Sequence, residues 1–294
     1  MSCEEYFHPG TVEEAMVYLR EKAGNARIIA GGTDLVLQLR EHKVDADALV
    51  DLSAVEQLST ITESDGWIMV GSMVTHNNLA SSAIIQDKAR VLADAARSIG
   101  SPQIRNIGTI GGNVVNAQPA ADTTIALMAL DARVRILTNQ GEIIKPVDQL
   151  FVSAGKSAVD PTSEILVGFE FKASGWGEAA AFMRHAKRKA LALPIVNAGV
   201  WVKANNNLNA FEDVRIALGP MAPVPVRAKN MENALKGMRF KLSVIKETLS
   251  VLEKEINPRD SIRGSAHYKG EMAKVLVTRA LIKAITELGG ELNE

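Results

Sequence analysis

The chain has 294 residues, 47% of them hydrophobic, and a formal net charge of −1. That length allows more than one average domain and a sizeable core, while the near-neutral balance supplies no global field for nucleic acid or anionic lipid. One cysteine, Cys3, excludes an internal disulfide or a multi-cysteine cluster held by this chain alone, and the acidic start Glu4-Glu5 with no ~18-residue apolar run predicts a cytoplasmic protein with neither signal peptide nor membrane span.

Thr11-Val12-Glu13-Glu14 has the capping-box pattern and opens a predicted helix through Lys22, with Ala15, Met16 and Leu19 on its apolar face and Gly24-Asn25 after it. Short apolar runs predict strands at 27–30, 48–52 and 67–71, the last preceded by the turn Ser64-Asp65-Gly66. Thr75 caps a short predicted helix ending at Ala80. A longer helix over 88–99 turns Val91, Leu92, Ala95, Ala96 and Ile99 inward, and Gly100 follows where a helix commonly terminates. Residues 101–122 lack periodicity and are dense in Gly, Pro, Asn and Gln, which predicts a long functional loop. An apolar helix then runs from Asp122 to near Asp131, followed by a hairpin of 133–137 and 142–145 around Asn139-Gln140-Gly141 and a strand at 165–171.

Ser174-Gly175-Trp176-Gly177 marks the expected boundary between domains of 1–175 and 176–294. Strands are expected beyond it at 180–185, 198–203 and 213–218, with a turn at Asn205-Asn206-Asn207. Helices over 228–236, 242–255 and about 265–288 would back this small sheet.

Two glycine pairs concentrate the chemistry. Ala30-Gly31-Gly32-Thr33-Asp34-Leu35 follows the apolar Ile28-Ile29, and Thr109-Ile110-Gly111-Gly112-Asn113 precedes Asp122. Glycine lets a backbone approach an anion closely, and successive N–H groups in such a turn can face phosphate oxygens. Each pair alone also reads as an ordinary turn. Thr33, Asn113 and Asp122 add a hydroxyl, an amide and a carboxylate suited to phosphate and sugar hydroxyls, although Asp122 also reads as a helix N-terminal cap. Together they suggest a dinucleotide. The P-loop, the G-x-G-x-x-G fingerprint and the G-x-S-x-G elbow are all missing from the sequence. The five histidines, His8, His42, His76, His185 and His267, show no metal-binding spacing. The basic run Arg184 to Lys189 reads as a nucleic-acid patch or, more simply, a solvated strand end.

The runs Ile28 to Leu35, Gly100 to Asn106, and Gly108 to Asn113 continuing through Pro119-Ala120-Ala121-Asp122 resemble the FAD-binding medium subunits of the molybdenum hydroxylase family. This is the family of xanthine, carbon monoxide and nicotinate dehydrogenases. The similarity extends from Phe7-His8-Pro9 to the helix containing Tyr268. It implies an α+β fold: a two-lobed FAD-binding domain of the vanillyl-alcohol-oxidase (PCMH) type, with lobes of about 1–57 and 58–175, then a small α+β C-terminal domain of three strands and helices. It also implies that Ile28, Ile29, Ala30, Gly31, Gly32, Thr33, Asp34 and Leu35 wrap the FAD pyrophosphate. Thr109, Gly112 and Asn113 would bind phosphate and ribityl, and Asp122 the ribityl or adenosine side. Ser72, His76 and Ser101 would lie near the cofactor, Ile165 and Leu166 would pack on the isoalloxazine, and Arg184 would place a cation beside it. No side chain is expected to be catalytic and no metal is expected in this chain, because the flavin carries the chemistry.

The implied function is electron transfer within a heteromeric oxidoreductase. A large partner would carry molybdopterin, a small partner [2Fe-2S] clusters, and NAD⁺ or another acceptor would take the electrons from FAD. Two positions depart from relatives: Gln118 stands where many carry Ser or Asp, and Leu191-Ala192 where several NAD-linked members carry acidic residues. The alternative readings are a stand-alone FAD oxidoreductase and a non-catalytic flavin- or nucleotide-binding assembly module.

Overall fold

A computed structural model describes residues 3–188 and 190–292; Met1, Ser2, Asn293, Glu294 and Lys189, the last of the basic run, lie outside the described residues. The chain begins with β1 (Glu5–Phe7), α1 (Val12–Glu21), β2 (Ala26–Ile29), α2 (Leu35–Arg40) and β3 (Ala48–Asp51), whose strands pair in parallel in the order β1-β3-β2. Thr11 caps α1 by accepting from the Glu14 N–H, and Glu14 reaches back to accept from the Gly10 N–H, one residue before the expected reciprocal partner. Val12, Ala15, Met16 and Leu19 then bury against this sheet.

The next elements are β4 (Ile61–Ser64), β5 (Trp67–Gly71), α3 (His76–Ser81), α4 (Ala83–Lys88), α5 (Arg90–Arg97), α6 (Pro102–Ile107), α7 (Ile110–Val115), α8 (Asp122–Ala129), β6 (Arg133–Thr138), β7 (Gly141–Pro146), β8 (Phe151–Ser153), β9 (Lys156–Ser157) and β10 (Ile165–Lys172). They build an antiparallel sheet of order β4-β5-β10-β6-β7. The expected helix over 88–99 is α5, somewhat shorter at both ends; a separate helix α4, capped by Ser82, precedes it, and the chain breaks between them at Ala89.

The expected loop over 101–122 is corrected. Ser101 caps α6 with Pro102 at its first turn, and Thr109 caps α7 by accepting from the Gly112 N–H at 3.1 Å. Both are short helices that start on a hydroxyl cap, too brief to show apolar periodicity.

The remaining elements are β11 (Glu178–His185), β12 (Val196–Ala204), β13 (Phe211–Gly219), β14 (Val226–Arg227), α9 (Lys229–Leu235), α10 (Leu242–Leu252) and α11 (Ala266–Glu287). The sheet has the order β11-β12-β13-β14, so the expected three strands gain a two-residue edge strand, and α11 packs on β11 and β12. The architecture is an α+β FAD-binding domain followed by a C-terminal flavoprotein domain.

Helix α8 joins the two. All eight of its residues are buried, and one hydrophobic core includes it together with Phe169 and Phe171 of β10 and Trp201 and Ala217 of the C-terminal sheet. Glycines permit that approach: a Cβ at Gly199 would lie 3.1 Å from the Ile125 carbonyl oxygen, and one at Gly219 would overlap the Pro119 carbonyl. Glu232 supports the far edge, accepting from the Ile216 N–H and forming a two-bond fork with Arg227 at 2.7 and 2.9 Å. Gly219→Ala should therefore force the C-terminal sheet off α8 and destabilise the chain by about 1–3 kcal/mol in chemical denaturation. An unchanged unfolding midpoint would contradict this packing.

Candidate functional site

The two glycine turns meet although more than seventy residues separate them in sequence. A Cβ on Gly31 would fall on the Ile107 carbonyl, so the first turn lies directly on the end of α6. The second turn is tied to the segment after β5. Gly111 N–H donates to the Ser72 carbonyl at 2.9 Å, Ile110 N–H to Val74 at 3.0 Å, and His76 N–H to the Gly108 carbonyl at 3.0 Å. A Cβ on Gly111 would sit 2.7 Å from the Ser72 carbonyl oxygen, so that ladder also requires glycine.

Between these segments lies a cavity of about 660 Å³, within the range of small-molecule and cofactor sites. Its walls include Ile28, Ala30, Gly31, Gly32, Thr33, Asp34, Leu35, Ser72, His76, Thr109, Gly112, Asn113 and Leu166. The structure thus brings together thirteen of the eighteen residues singled out from sequence.

The two turns are not equivalent. Among the described residues, the N–H groups of Gly32, Thr33, Asp34 and Leu35 donate to no protein acceptor, and Gly32 holds φ +66°. Four adjacent free donors in a turn ahead of a helix form a ready anion cradle. In the second turn the donors are spent: Ile110, Gly111, Gly112 and Asn113 N–H groups bond to Val74, Ser72 and Thr109. Its contributions are close backbone approach and the Thr109 and Asn113 side chains. Thr109 Oγ1 accepts the Gly112 N–H, which leaves its own O–H free to donate.

Five candidates do not line the cavity. Ile29 is buried with Leu39, Ala46 and Leu49. Ile165 is buried with Met73 and Leu58, because successive strand residues face opposite ways and Leu166 takes the cavity side. Ser101 caps α6, its hydroxyl oxygen accepting from Ile104 N–H, outside the cavity lining. Asp122 and Arg184 pair with each other at 3.1 Å.

Asp122 begins α8 and also accepts from Asn197 Nδ2 at 2.6 Å and from Ser98 Oγ at 3.1 Å. Burial pushes its carboxyl up, opposed by the Arg184 charge and then by the hydrogen bonds from Asn197, Ser98 and Arg184. The Arg184 charge is thus neutralised at the junction of the two domains instead of standing free beside the cavity. The pair still touches the cavity indirectly: Thr123, next to Asp122, donates its hydroxyl to Asn113 Oδ1 at 2.7 Å.

Several wall residues carry no local sequence signal. Arg27, Lys156, Ser157, Asp160, Pro161 and Glu164 line the cavity, most of them on the segment running from β9 toward β10. Ile28 N–H donates to the Pro161 carbonyl at 3.3 Å, bringing that segment onto the first lobe. Only tertiary pairing puts it there. Gly155-Lys156-Ser157 reads locally as a plain turn.

Two buried polar atoms in the wall residues have no partner, Ser72 Oγ and His76 Nδ1. His76 is 3% exposed, and burial first and the Arg105 charge second lower its pKa from 6.5 to about 4. The imidazole is neutral at physiological pH. A glycine cradle, four free N–H donors, two wall cations and unpartnered polar groups suit a ligand with phosphates, sugar hydroxyls and a heterocycle, as FAD has.

Residues 2–171 match the family described as the FAD binding domain in molybdopterin dehydrogenase, and residues 181–284 match the CO dehydrogenase flavoprotein C-terminal domain. The chain belongs to the FAD-binding medium subunits of the molybdenum hydroxylase family, which are subunits of FAD-dependent oxidoreductases. It is 30% identical to the nicotinate dehydrogenase FAD-subunit of Eubacterium barkeri, over 99% of each chain. It is 29% identical to the carbon monoxide dehydrogenase medium chain of Hydrogenophaga pseudoflava, over 94% of this chain and 95% of that one. Carbon monoxide dehydrogenase from the same organism, in a form lacking the Mo-pyranopterin moiety of its molybdenum cofactor, superposes with a TM-score of 0.90 at 28% identity, covering 96% of this chain and 97% of that one. Quinoline 2-oxidoreductase from Pseudomonas putida 86 superposes with a TM-score of 0.88 at 25% identity, covering 97% of both chains. No helix among the described residues is long and apolar enough to cross a membrane.

Because His76 binds its proton more weakly when folded, the unfolded chain is the more protonated between pH 6.5 and about 4. Its contribution is complete above pH 6.5 and is lost as pH falls toward 4, a total of about 3 kcal/mol. His76→Asn should flatten the stability–pH slope in that window, read by urea midpoints. Parallel slopes in the two proteins would contradict the buried, neutral imidazole.

Proposed function

We propose that FAD occupies the cavity between the glycine turns and that this chain is the electron-transfer subunit of a heteromeric molybdenum hydroxylase. The division lies near residue 175, with FAD held by lobes of about 1–57 and 58–175. The observation that carries this reading is the row of free N–H groups from Gly32 to Leu35, lying across a 660 Å³ cavity from Gly112 and Asn113.

When bound, FAD supplies the redox chemistry. The protein binds and orients it. The Gly32–Leu35 donors and the Thr33 hydroxyl hold the pyrophosphate, and Arg27 and Lys156 offset the wall carboxylates of Asp34, Asp160 and Glu164. Thr109 and Asn113 take ribityl or phosphate oxygens, while Ile28, Ala30 and Leu166 exclude water along the apolar part. Ser72 and His76 present neutral polar groups to the cofactor, so His76 adds no charge there. Asp122 and Arg184 act as positioning residues: they fix the start of α8, from which Thr123 holds Asn113. Ile29, Ile165 and Ser101 support the walls from behind.

Electrons arrive from a [2Fe-2S] partner and originate at a molybdopterin partner. Support comes from relatives named as medium chains and FAD-subunits, and from a sequence whose one cysteine cannot ligate a four-cysteine cluster. The acceptor is NAD⁺ or another oxidant. Cytoplasmic placement fits a sequence with a single cysteine, as a reducing compartment favours.

The purified chain should carry bound flavin, and Gly31→Ala should weaken FAD binding at least ten-fold, because the new methyl displaces the α6 end. Gly112→Val should also lose FAD, since its side chain branches toward Thr109 and the cavity. Flavin retention equal to wild type in folded variants would refute this placement. Bleaching of the flavin by NADH alone supports NAD⁺ as acceptor. Bleaching by an organic substrate without partner chains would favour a stand-alone oxidoreductase, and a chain unable to take up FAD would sink the proposal.

A further inference from the structure

Away from the cavity, two loops of the C-terminal domain are locked into one surface. The β11–β12 connection carries Leu191 and Leu193, 57% and 59% exposed, and the loop before α11 carries Ile262, 92% exposed. Lys187 Nζ donates to the Ile262 carbonyl at 2.9 Å, and His185 Nε2 lies 2.9 Å from the Tyr268 hydroxyl. Arg188 folds back onto the Leu191 carbonyl, and Arg184 donates to the Ala192 carbonyl. Leu191 sits at φ +52°, a conformation costly for a leucine, and its side chain is held outward at that cost. Exposed aliphatics on loops braced this way are preorganised, which lowers the entropy lost when a partner covers them.

The charge of this surface is one-sided. Among the described residues Lys187, Arg188, Arg259 and Arg263 form no ion pair, whereas Arg90, Arg227, Lys236 and Lys274 elsewhere in the chain each do. The nearby Asp260 spends one carboxylate oxygen on the Ala266 N–H. Buried Lys269, bonded to Ser261 Oγ at 2.9 Å, adds a fifth cation. Burial first, then Arg263 and Arg259, hold its ammonium below the ordinary value, with Asp260 opposing. The cations therefore repel one another with little internal compensation.

We propose that this face, with Leu191, Leu193 and Ile262 as anchors on the same two loops as Lys187, Arg188, Arg259 and Arg263, docks an acidic surface of another protein subunit of the same complex. Aliphatic anchors accompanied by arginine and lysine suit a protein interface, and the uncompensated positive charge selects a negative partner. The location is apt for electron transfer: Arg184 connects the loop to Asp122, and Thr123 connects that junction to Asn113 in the cavity wall. This inference rests on the subunit reading above.

The test is to co-express the chain with its molybdopterin and iron–sulfur partners and compare wild type with Ile262→Asp and with the double variant Arg259→Glu/Arg263→Glu. Co-elution is measured from about 0.1 to about 0.5 M NaCl, over which screening shortens from ~10 Å to a few ångströms. FAD content is measured in parallel. Both variants should keep wild-type FAD content, which reports a folded chain, while association weakens at least ten-fold. In the wild-type complex the backbone amides of 187–193 and 259–264 should gain protection from hydrogen exchange, apart from Lys189. Wild-type co-elution of both variants, or protection confined to another face, overturns the docking surface and leaves the FAD reading intact. So does binding of the isolated chain to phosphatidylserine-containing vesicles that Ile262→Asp abolishes while the complex still assembles. A flavin-loaded wild-type chain that joins neither partner overturns the subunit reading and the docking surface with it.

Discussion

The site depends on one close approach, that of Gly31 to the Ile107 carbonyl at the end of α6. The first lobe supplies free N–H donors, and the second supplies the opposite wall. They face each other only because no Cβ stands between the first turn and the α6–α7 corner. The ladder from Ser72 to His76 fixes that corner, with Gly111 at a second position too tight for a Cβ. Two glycines far apart in sequence thus set the separation of the walls.

A second constraint operates behind the cavity. Helix α8 is buried on every side, so it lacks an amphipathic pattern and belongs to both domains at once. Its first residue, Asp122, is a buried carboxylate supplied with an arginine, an amide and a hydroxyl from three different segments. Removing one partner of such a group is much more damaging than never having built it. The same helix start steers Asn113 through Thr123, so domain docking and cavity shape share a hydrogen-bond network.

Much of this was legible in the residues. Strand Trp67–Gly71 and the Thr11 and Thr75 helix starts follow directly from alternation and capping chemistry, whereas Gly100, read as the residue directly after its helix, lies two residues beyond the Ser98 cap of α5. The glycine turns and their neighbours up to Leu35 could be read because their composition is unusual and continuous. Helices α6 and α7 were hidden: six residues do not establish a period, and glycine and asparagine argue against helix although Ser101 and Thr109 were available as caps. The 156–164 wall was hidden for another reason, since its place is set by the pairing of β9 with β8 and by backbone bonds from Ala158 N–H to the Leu150 carbonyl and from Ile28 N–H to the Pro161 carbonyl. Asp122 and Arg184 were recognisable as important, but sequence alone does not show that they face each other. That pairing takes the free cation away from the cavity.

The cradle's two halves come from turns made at different times as the chain is synthesised. Until the α6–α7 corner and the later 156–164 segment have docked on the first lobe, no cofactor site exists. A cofactor that binds only the assembled form shifts the folding equilibrium toward that form by mass action. With FAD in the proposed place, loading with flavin is a checkpoint on assembly: a chain that has acquired its cofactor has already brought both walls together. Flavin supply and the abundance of the folded subunit are linked through that single cavity.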